Sequence, residues 1–229
     1  SGTFELLKAA AKHARSALDG EPRSLLLWQQ GCSARAADAT LAATIAALEA
    51  AAFRFATFKS KPKPQLRLAR IDVAGGKLPE LDLTLATAAG NNLARWLTAL
   101  PPNILDARGY RRLLRQFSDK LGLGFKFYGE AQLKRLGAGA FLAVARGNAT
   151  RDAGIVHLSY RPRGRRPPAL SLVGKGVCFD TGGTNLKPHK GMLDMHIDME
   201  GSAVAVGSLY ALHAMRSPMA VDCWLAITE

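Results

Sequence analysis

The sequence predicts an α/β protein whose sheet is covered by helices on both faces, and three observations predict it. Short runs rich in β-branched, aromatic and aliphatic residues alternate with longer segments of helical period. Proline and glycine separate the two kinds of segment. The densest group of ionisable residues follows directly on an apolar run, ALSLV (169–173), as ligand sites follow the carboxyl ends of strands in open α/β sheets.

Taken in order, SLLLW (24–28) reads as a short buried strand. Residues 36–52, AADATLAATIAALEAAA, read as an alanine-rich helix with capping oxygens on Asp38 and Thr40. QLRLARIDV (65–73) alternates apolar and polar residues as a half-exposed strand does, and Gly75, Gly76 and Pro79 then mark a domain boundary near 74–80. A helical pattern over 81–100 is stopped by Pro101 and Pro102, which cannot continue the backbone ladder. Asp106 is the expected N-cap of the next helix, through Arg111, Leu114 and Phe117. Strands are expected at 125–128, 155–160, 169–173 and 221–227, and helices at 130–136, 141–145 and 201–215.

A chain of 229 residues with 48% hydrophobic and 21% charged residues builds its own core and is not a disordered tail. Three widely spaced cysteines, Cys32, Cys178 and Cys223, form no CxxC pair and argue against a disulfide framework or a zinc ribbon. No run is apolar for long enough to span a bilayer and the start carries no signal-peptide pattern, so a soluble, cytoplasmic protein is expected. The net charge of +13 raises nucleic acid or another polyanion as a partner. Its densest clusters, KSKPK (59–63) and RPRGRR (161–166), stand beside prolines and read as solvated loops.

The chemistry concentrates in VGKGVCFDTGGTNLKPHKGMLDMHIDMEGS (173–202). Buried amines and carboxylates need partners, and a divalent cation is the partner this mixture calls for. GKG (174–176) resembles a fragment of a phosphate loop, but GxxxxGK[ST] is absent and nucleotide binding is set aside. The informative spacing is Lys175, Asp180, Lys187 and Asp198.

That string resembles the site motif of the leucine (cytosol) aminopeptidase family of dinuclear metallopeptidases, VGKGxxFDxGGxxxKPxxxMxxMxxDMxGxA, at every fixed position and spacing. ALPPNILDARGY (99–110) and GAGAFLAVARG (137–147) resemble further segments of the family, and the likeness covers most of 40–229. It implies a truncated N-terminal α/β domain (1–79), a linking helix (80–102), and the first part of a catalytic α/β domain with a mixed sheet (103–229). It further implies a metal-dependent aminopeptidase that removes leucine-like N-terminal residues from peptides through water activated by two divalent ions, Mn²⁺ or Zn²⁺. Lys175, Asp180 and Asp198 are the implied metal ligands and Lys187 the catalytic cation. Met192 and Met195 are implied to line the pocket for the first side chain, Met195 the more so. A homohexamer is implied as the assembly.

Each implied role has a physical warrant. A lysine ligates only as a neutral amine, the form that a neighbouring metal ion favours. Carboxylates supply hard oxygens and neutralise the ions, and a charged Lys187 stabilises the oxyanion of a tetrahedral intermediate. Gly182 and Gly183 read either as a close backbone approach to the metals or as a plain turn, and Asn103 as a residue of the interdomain turn. His189 and His196 are rival ligands by residue type. Asp194 and Glu200 read as supporting charges, and Cys178 as a buried thiol. The family completes its site with a segment of the form NTDAEGR, which brings two more carboxylates and an arginine for a bicarbonate-like base, and no DAEGR occurs here. Two divalent ions carry +4 against −2 from Asp180 and Asp198, so the 229 residues alone are expected to lack appreciable peptidase activity. The competing expectation is a non-catalytic relative that serves in assembly or binds DNA or another polyanion.

Overall fold

The computed structural model describes every residue except 1, 32, 63–66, 77, 165 and 166. The chain divides into two compact units, Ser1–Asn92 and Leu93–Glu229.

In the first unit, helix α1 (Thr3–Leu18) precedes strand β1 (Ser24–Trp28), helix α2 (Ala34–Ala52) and strand β2 (Arg70–Ala74). β1 and β2 pair in parallel, with Ser24 opposite Arg70 and Trp28 opposite Ala74. Small side chains let the helices approach closely: Ala10 and Ala14 of α1 pack with Ala43, Ala47 and Leu48 of α2, and Leu25, Leu27 and Ile71 close the cluster from the sheet. Two expectations are corrected here. α2 begins at Ala34 with Ser33 as its N-cap, so Asp38 and Thr40 lie inside the helix; a run of alanines needs no side-chain cap to start where its propensity is high. The strand expected over 65–73 is β2, which starts at Arg70; residues 65 and 66 lie outside the described residues. Helix α1 was not anticipated from the sequence.

Helix α3 (Asp82–Thr98) ends before the Pro101–Pro102 pair, as expected. The second unit then runs α4 (Ala107–Leu121), β3 (Gly124–Gly129), α5 (Glu130–Arg135), α6 (Gly139–Ala145), β4 (Gly154–Tyr160) and β5 (Leu170–Val177). A single turn α7 (His189–Met192), a 3₁₀ turn (Met195–Ile197), α8 (Glu200–Ala214) and β6 (Val221–Thr228) complete it. Asp106 caps α4 as expected, accepting from the Gly109 N–H at 2.5 Å. Gly122, at φ 66°, closes that helix in the left-handed conformation.

The four strands form a mixed sheet in the order β3-β4-β6-β5. β3, β4 and β6 are antiparallel neighbours, and β5 runs parallel to β6. Alternation along the strands sends Phe125, Phe127, Val156, Leu158, Cys223, Leu225 and Ile227 into one core with Tyr110 and Leu114 of α4 and Ala203, Val206 and Leu209 of α8. The intervening residues form a polar and aromatic set. His157 stacks on Trp224 with ring centroids 3.9 Å apart, and Asp222 accepts from Arg161 and lies 2.9 Å from His157 Nε2, which is out of line for a hydrogen bond. Burial pushes the Asp222 carboxyl upward, but His157 and Arg161 together hold it below its ordinary value.

The apolar strand expected at 169–173 is longer than the sequence suggested. β5 continues through Gly174, Lys175 and Gly176 to Val177, because the parallel ladder to β6 persists, with Lys175 opposite Ala226 and Val177 opposite Thr228. Lys175 therefore stands on the strand itself rather than beyond its end. Pro162–Gly164 of the second basic cluster form a turn, Arg161 before it donates to Asp222 and Val221 O, and Lys59–Pro62 of the first cluster lie outside helix and strand, while Lys63, Arg165 and Arg166 lie outside the described residues.

Candidate metal centre

Gly174 and Gly176 explain why α8 can lie directly against β5. A Cβ on Gly174 would stand 2.5 Å from Ser202 Cα and 2.9 Å from the Gly201 carbonyl oxygen, and one on Gly176 would stand 3.3 Å from Ser202 Oγ. From the other side, a Cβ on Gly201 would meet the Lys175 backbone nitrogen at 3.3 Å. Backbone thus packs on backbone, which only glycine permits at these distances. The result is a short path between the strand that carries Lys175 and the segment that carries Asp198 into α8.

Lys175 Nζ lies 2.8 Å from Asp198 Oδ1 and 2.7 Å from Oδ2. The bond to Oδ1 has hydrogen-bond geometry; Oδ2 is sealed from solvent and has no hydrogen-bond partner. Oδ2 meets the Lys175 ammonium only as an ion pair, so it keeps lone pairs that a hydrogen-bond donor or a cation can use.

A second pair lies on the loop after β5. Asp180 Oδ2 stands 3.0 Å from Lys187 Nζ, and Oδ1 accepts from the Gly182 N–H at 2.8 Å. The Lys187 hydrogen bond, and then the Gly182 N–H, hold the Asp180 carboxyl below its ordinary value. The loop makes a tight turn: the Lys187 N–H donates to Thr181 O at 2.9 Å, and a Cβ on Gly182, at φ 92°, would meet Asn185 O at 2.4 Å. Gly183 faces open space.

Lys175, Asp180, Lys187 and Asp198 are thus brought together as two lysine–carboxylate pairs. The Asp198 carboxylate and the Lys175 amine, once that amine is neutral, fit a divalent cation by donor chemistry, since a hard oxygen and a nitrogen side by side are what such an ion takes. Among the described residues no three His, Cys, Asp or Glu side chains converge, so neither His189 nor His196 completes a cluster of three with the two aspartates. Met192 ends α7 and Met195 begins the 3₁₀ turn, both half-buried. Cys178 is a buried thiol pushed up to about 12 by burial. A cavity of about 800 Å³ opens at the carboxyl ends of β1 and β2, lined by Trp28, Gln29, Asp38 and Glu80 among others; it lies in the first unit and includes none of the proposed site residues.

Sequence reasoning missed the roles of Gly174, Gly176 and Ser202. The GKG and EGS spacings were a visible signal, but their meaning needs the packing of β5 on α8.

The model of the cytosol aminopeptidase family catalytic domain (peptidase family M17) matches residues 92–229. The chain belongs to the cytosol aminopeptidase family. A probable cytosol aminopeptidase of Synechococcus sp. (strain CC9311) is 33% identical over 99% of the chain and 46% of its own length. Another, of Methylorubrum populi, is 34% identical over 100% of the chain and 44% of its own length. Among solved structures, the bottromycin maturation enzyme BotP in complex with Mn matches all of the chain and 48% of its own at a TM-score of 0.83 and 31% identity. The apo leucyl aminopeptidase of Trypanosoma cruzi, at 23% identity and a TM-score of 0.77 over 97% of the chain and 44% of its own, shares the fold. The chain spans about half the length of the curated relatives it matches.

Proposed function

We propose that the chain is part of a metal-dependent aminopeptidase that removes leucine-like N-terminal residues from peptides, with Lys175, Asp180 and Asp198 holding divalent cations. The observation that carries the reading is the meeting of Lys175 and Asp198, 23 residues apart in sequence, with both carboxylate oxygens within 2.8 Å of the amine and Oδ2 sealed from solvent. The manganese in the similar BotP structure supports the choice of ion. A divalent cation there supplies Lewis acidity and a water nucleophile at neutral pH.

The residues divide the remaining work. Lys175 must give up a proton before its amine can ligate, and the same loss of charge frees Asp198 from its ion pair. Asp180 keeps its orientation through the Gly182 N–H while its other oxygen turns from Lys187. Lys187, released from that contact, places its positive charge where negative charge develops on the scissile carbonyl oxygen. Met192 and Met195 give the first side chain an adaptable apolar pocket, which suits leucine without being strict. Two ions need more negative charge than Asp180 and Asp198 supply, and we assign the balance to residues outside this chain. A hexameric assembly and a cytoplasmic location belong to the same reading.

The test uses the protein as encoded. Lys187→Ala should lower leucine release from leucyl p-nitroanilide by about 100-fold or more, as loss of one oxyanion stabiliser does, with manganese content unchanged. Asp198→Asn should lose bound manganese. Normal turnover in the first variant, or normal metal content in the second, would overturn the assignment.

A further inference from the structure

We propose that Tyr110, on α4, is a positioning residue for Asp198, its hydroxyl holding the first turn of α8 through Ser202 in the place that sets Asp198 against Lys175. The inference rests on the reading of Asp198 as a metal ligand.

Tyr110 is fully buried, and its Oη lies 2.8 Å from Ser202 Oγ, 92 residues away in sequence. Ser202 Oγ donates to the Met199 carbonyl oxygen at 2.7 Å, so its one proton is committed and the phenol is the donor in the Tyr110–Ser202 bond. Burial raises the Tyr110 pKa far above that of an ordinary phenol, so the hydroxyl keeps its proton. The chain of donors therefore runs from Tyr110 to Ser202 to Met199, the residue after Asp198. Met199 and Ser202 are themselves fully buried, so no water can replace a lost partner from outside.

The opposite side of Ser202 is blocked by β5, where Gly174 leaves room for the Ser202 backbone and nothing larger. Ser202 is thus held between α4 and β5. The aromatic ring of Tyr110 belongs to the core with Leu114, Ala203 and Val206 whatever its substituent, whereas the hydroxyl alone reaches Ser202. Groups that orient a metal ligand from behind commonly change affinity 10- to 100-fold when removed.

The experiment titrates Mn²⁺ into the metal-free protein. Tyr110→Phe and Ser202→Ala should each weaken binding by about 10-fold, and the double variant should be no weaker than either alone, since both break one chain of bonds. Tyr160→Phe is the control: it removes another tyrosine hydroxyl bond, Tyr160 Oη to Ser217 O at 2.9 Å, at the end of β4 opposite Val221, whereas Lys175 stands opposite Ala226. It should lower thermal stability as Tyr110→Phe does and leave Mn²⁺ affinity unchanged. Wild-type affinity in Tyr110→Phe, additive single effects, or equal weakening by Tyr160→Phe would overturn the inference. Asp198→Asn, measured alongside, separates the two levels. If it binds Mn²⁺ normally, the ligand reading fails and takes this inference with it; if it loses Mn²⁺ while Tyr110→Phe does not, only the role of Tyr110 falls. Should Tyr110→Phe fail to fold, Ser202→Ala decides.

Discussion

Gly174→Ala places one methyl group at the contact that builds the site. Its Cβ would stand 2.5 Å from Ser202 Cα and 2.9 Å from both Gly201 O and Ser202 N, where ordinary contact begins at 3.4 Å. All three obstacles are backbone atoms, so no side-chain rotation relieves them. The first turn of α8 must retreat by about 1 Å, or β5 must bend away from β6. Overpacking of this kind costs about 1–3 kcal/mol, and the rigid obstacles put this case near 3. The same retreat carries Asp198 away from Lys175 and lengthens their 2.7–2.8 Å contacts beyond hydrogen-bonding distance. Urea unfolding gives the stability and Mn²⁺ titration of the metal-free protein gives the site. Two further glycines calibrate the result. Gly176→Ala meets Ala226 O at 2.9 Å but Ile227 Cγ1 and Ser202 Oγ only at 3.3 Å, and should cost about 1 kcal/mol. Gly139→Ala meets nothing within 4 Å at a helix start and should be neutral or slightly stabilising. If Gly174→Ala unfolds within about 0.5 kcal/mol of wild type and binds Mn²⁺ as well, the close approach of β5 and α8 is not what assembles the site.

Other consequences can be measured in the same unfolding assay. Asp222 is held below its ordinary carboxyl pKa, so its contribution is complete above about pH 4, the usual unfolded value, and is lost as pH falls through the lower folded value. Asp222→Asn should therefore destabilise by about 3 kcal/mol at pH 7, by leaving Arg161 half-buried without its carboxylate, and the gap from wild type should close at low pH. A pH-independent gap would mean that shape rather than charge matters there. Asp106→Ala removes the acceptor of the Gly109 N–H at the start of α4 and should cost about 1 kcal/mol; no change would show that solvent caps the helix as well.

Much of the fold was legible because single segments carried their own instructions. The Pro101–Pro102 stop, the Asp106 cap and the alternation in β3, β4 and β6 are local signals, and local structure followed them. The misses share a different cause. β5 runs through glycine and lysine, poor strand formers, and only its ladder to β6 makes Gly174–Val177 a strand. The start of α2 was placed by capping chemistry, and alanine propensity overrode it. At the site, residue types and spacing marked Lys175, Asp180, Lys187 and Asp198, but not that each lysine stands on a carboxylate. The bond between Tyr110 and Ser202 spans 92 residues and leaves no periodic trace in sequence.

The strand order also constrains when the site can form. β6 lies between β4 and β5, so those two strands share no hydrogen bonds and wait on a segment made after both. During synthesis β3 and β4 can pair once α5 and α6 between them have been made, while the strand bearing Lys175 gains its ladder only once Val221–Thr228 has been added. Pairing across such separations is slow. Until then the two lysine–carboxylate pairs have no fixed frame, so the nascent chain carries the residues of the proposed metal centre well before it has their geometry.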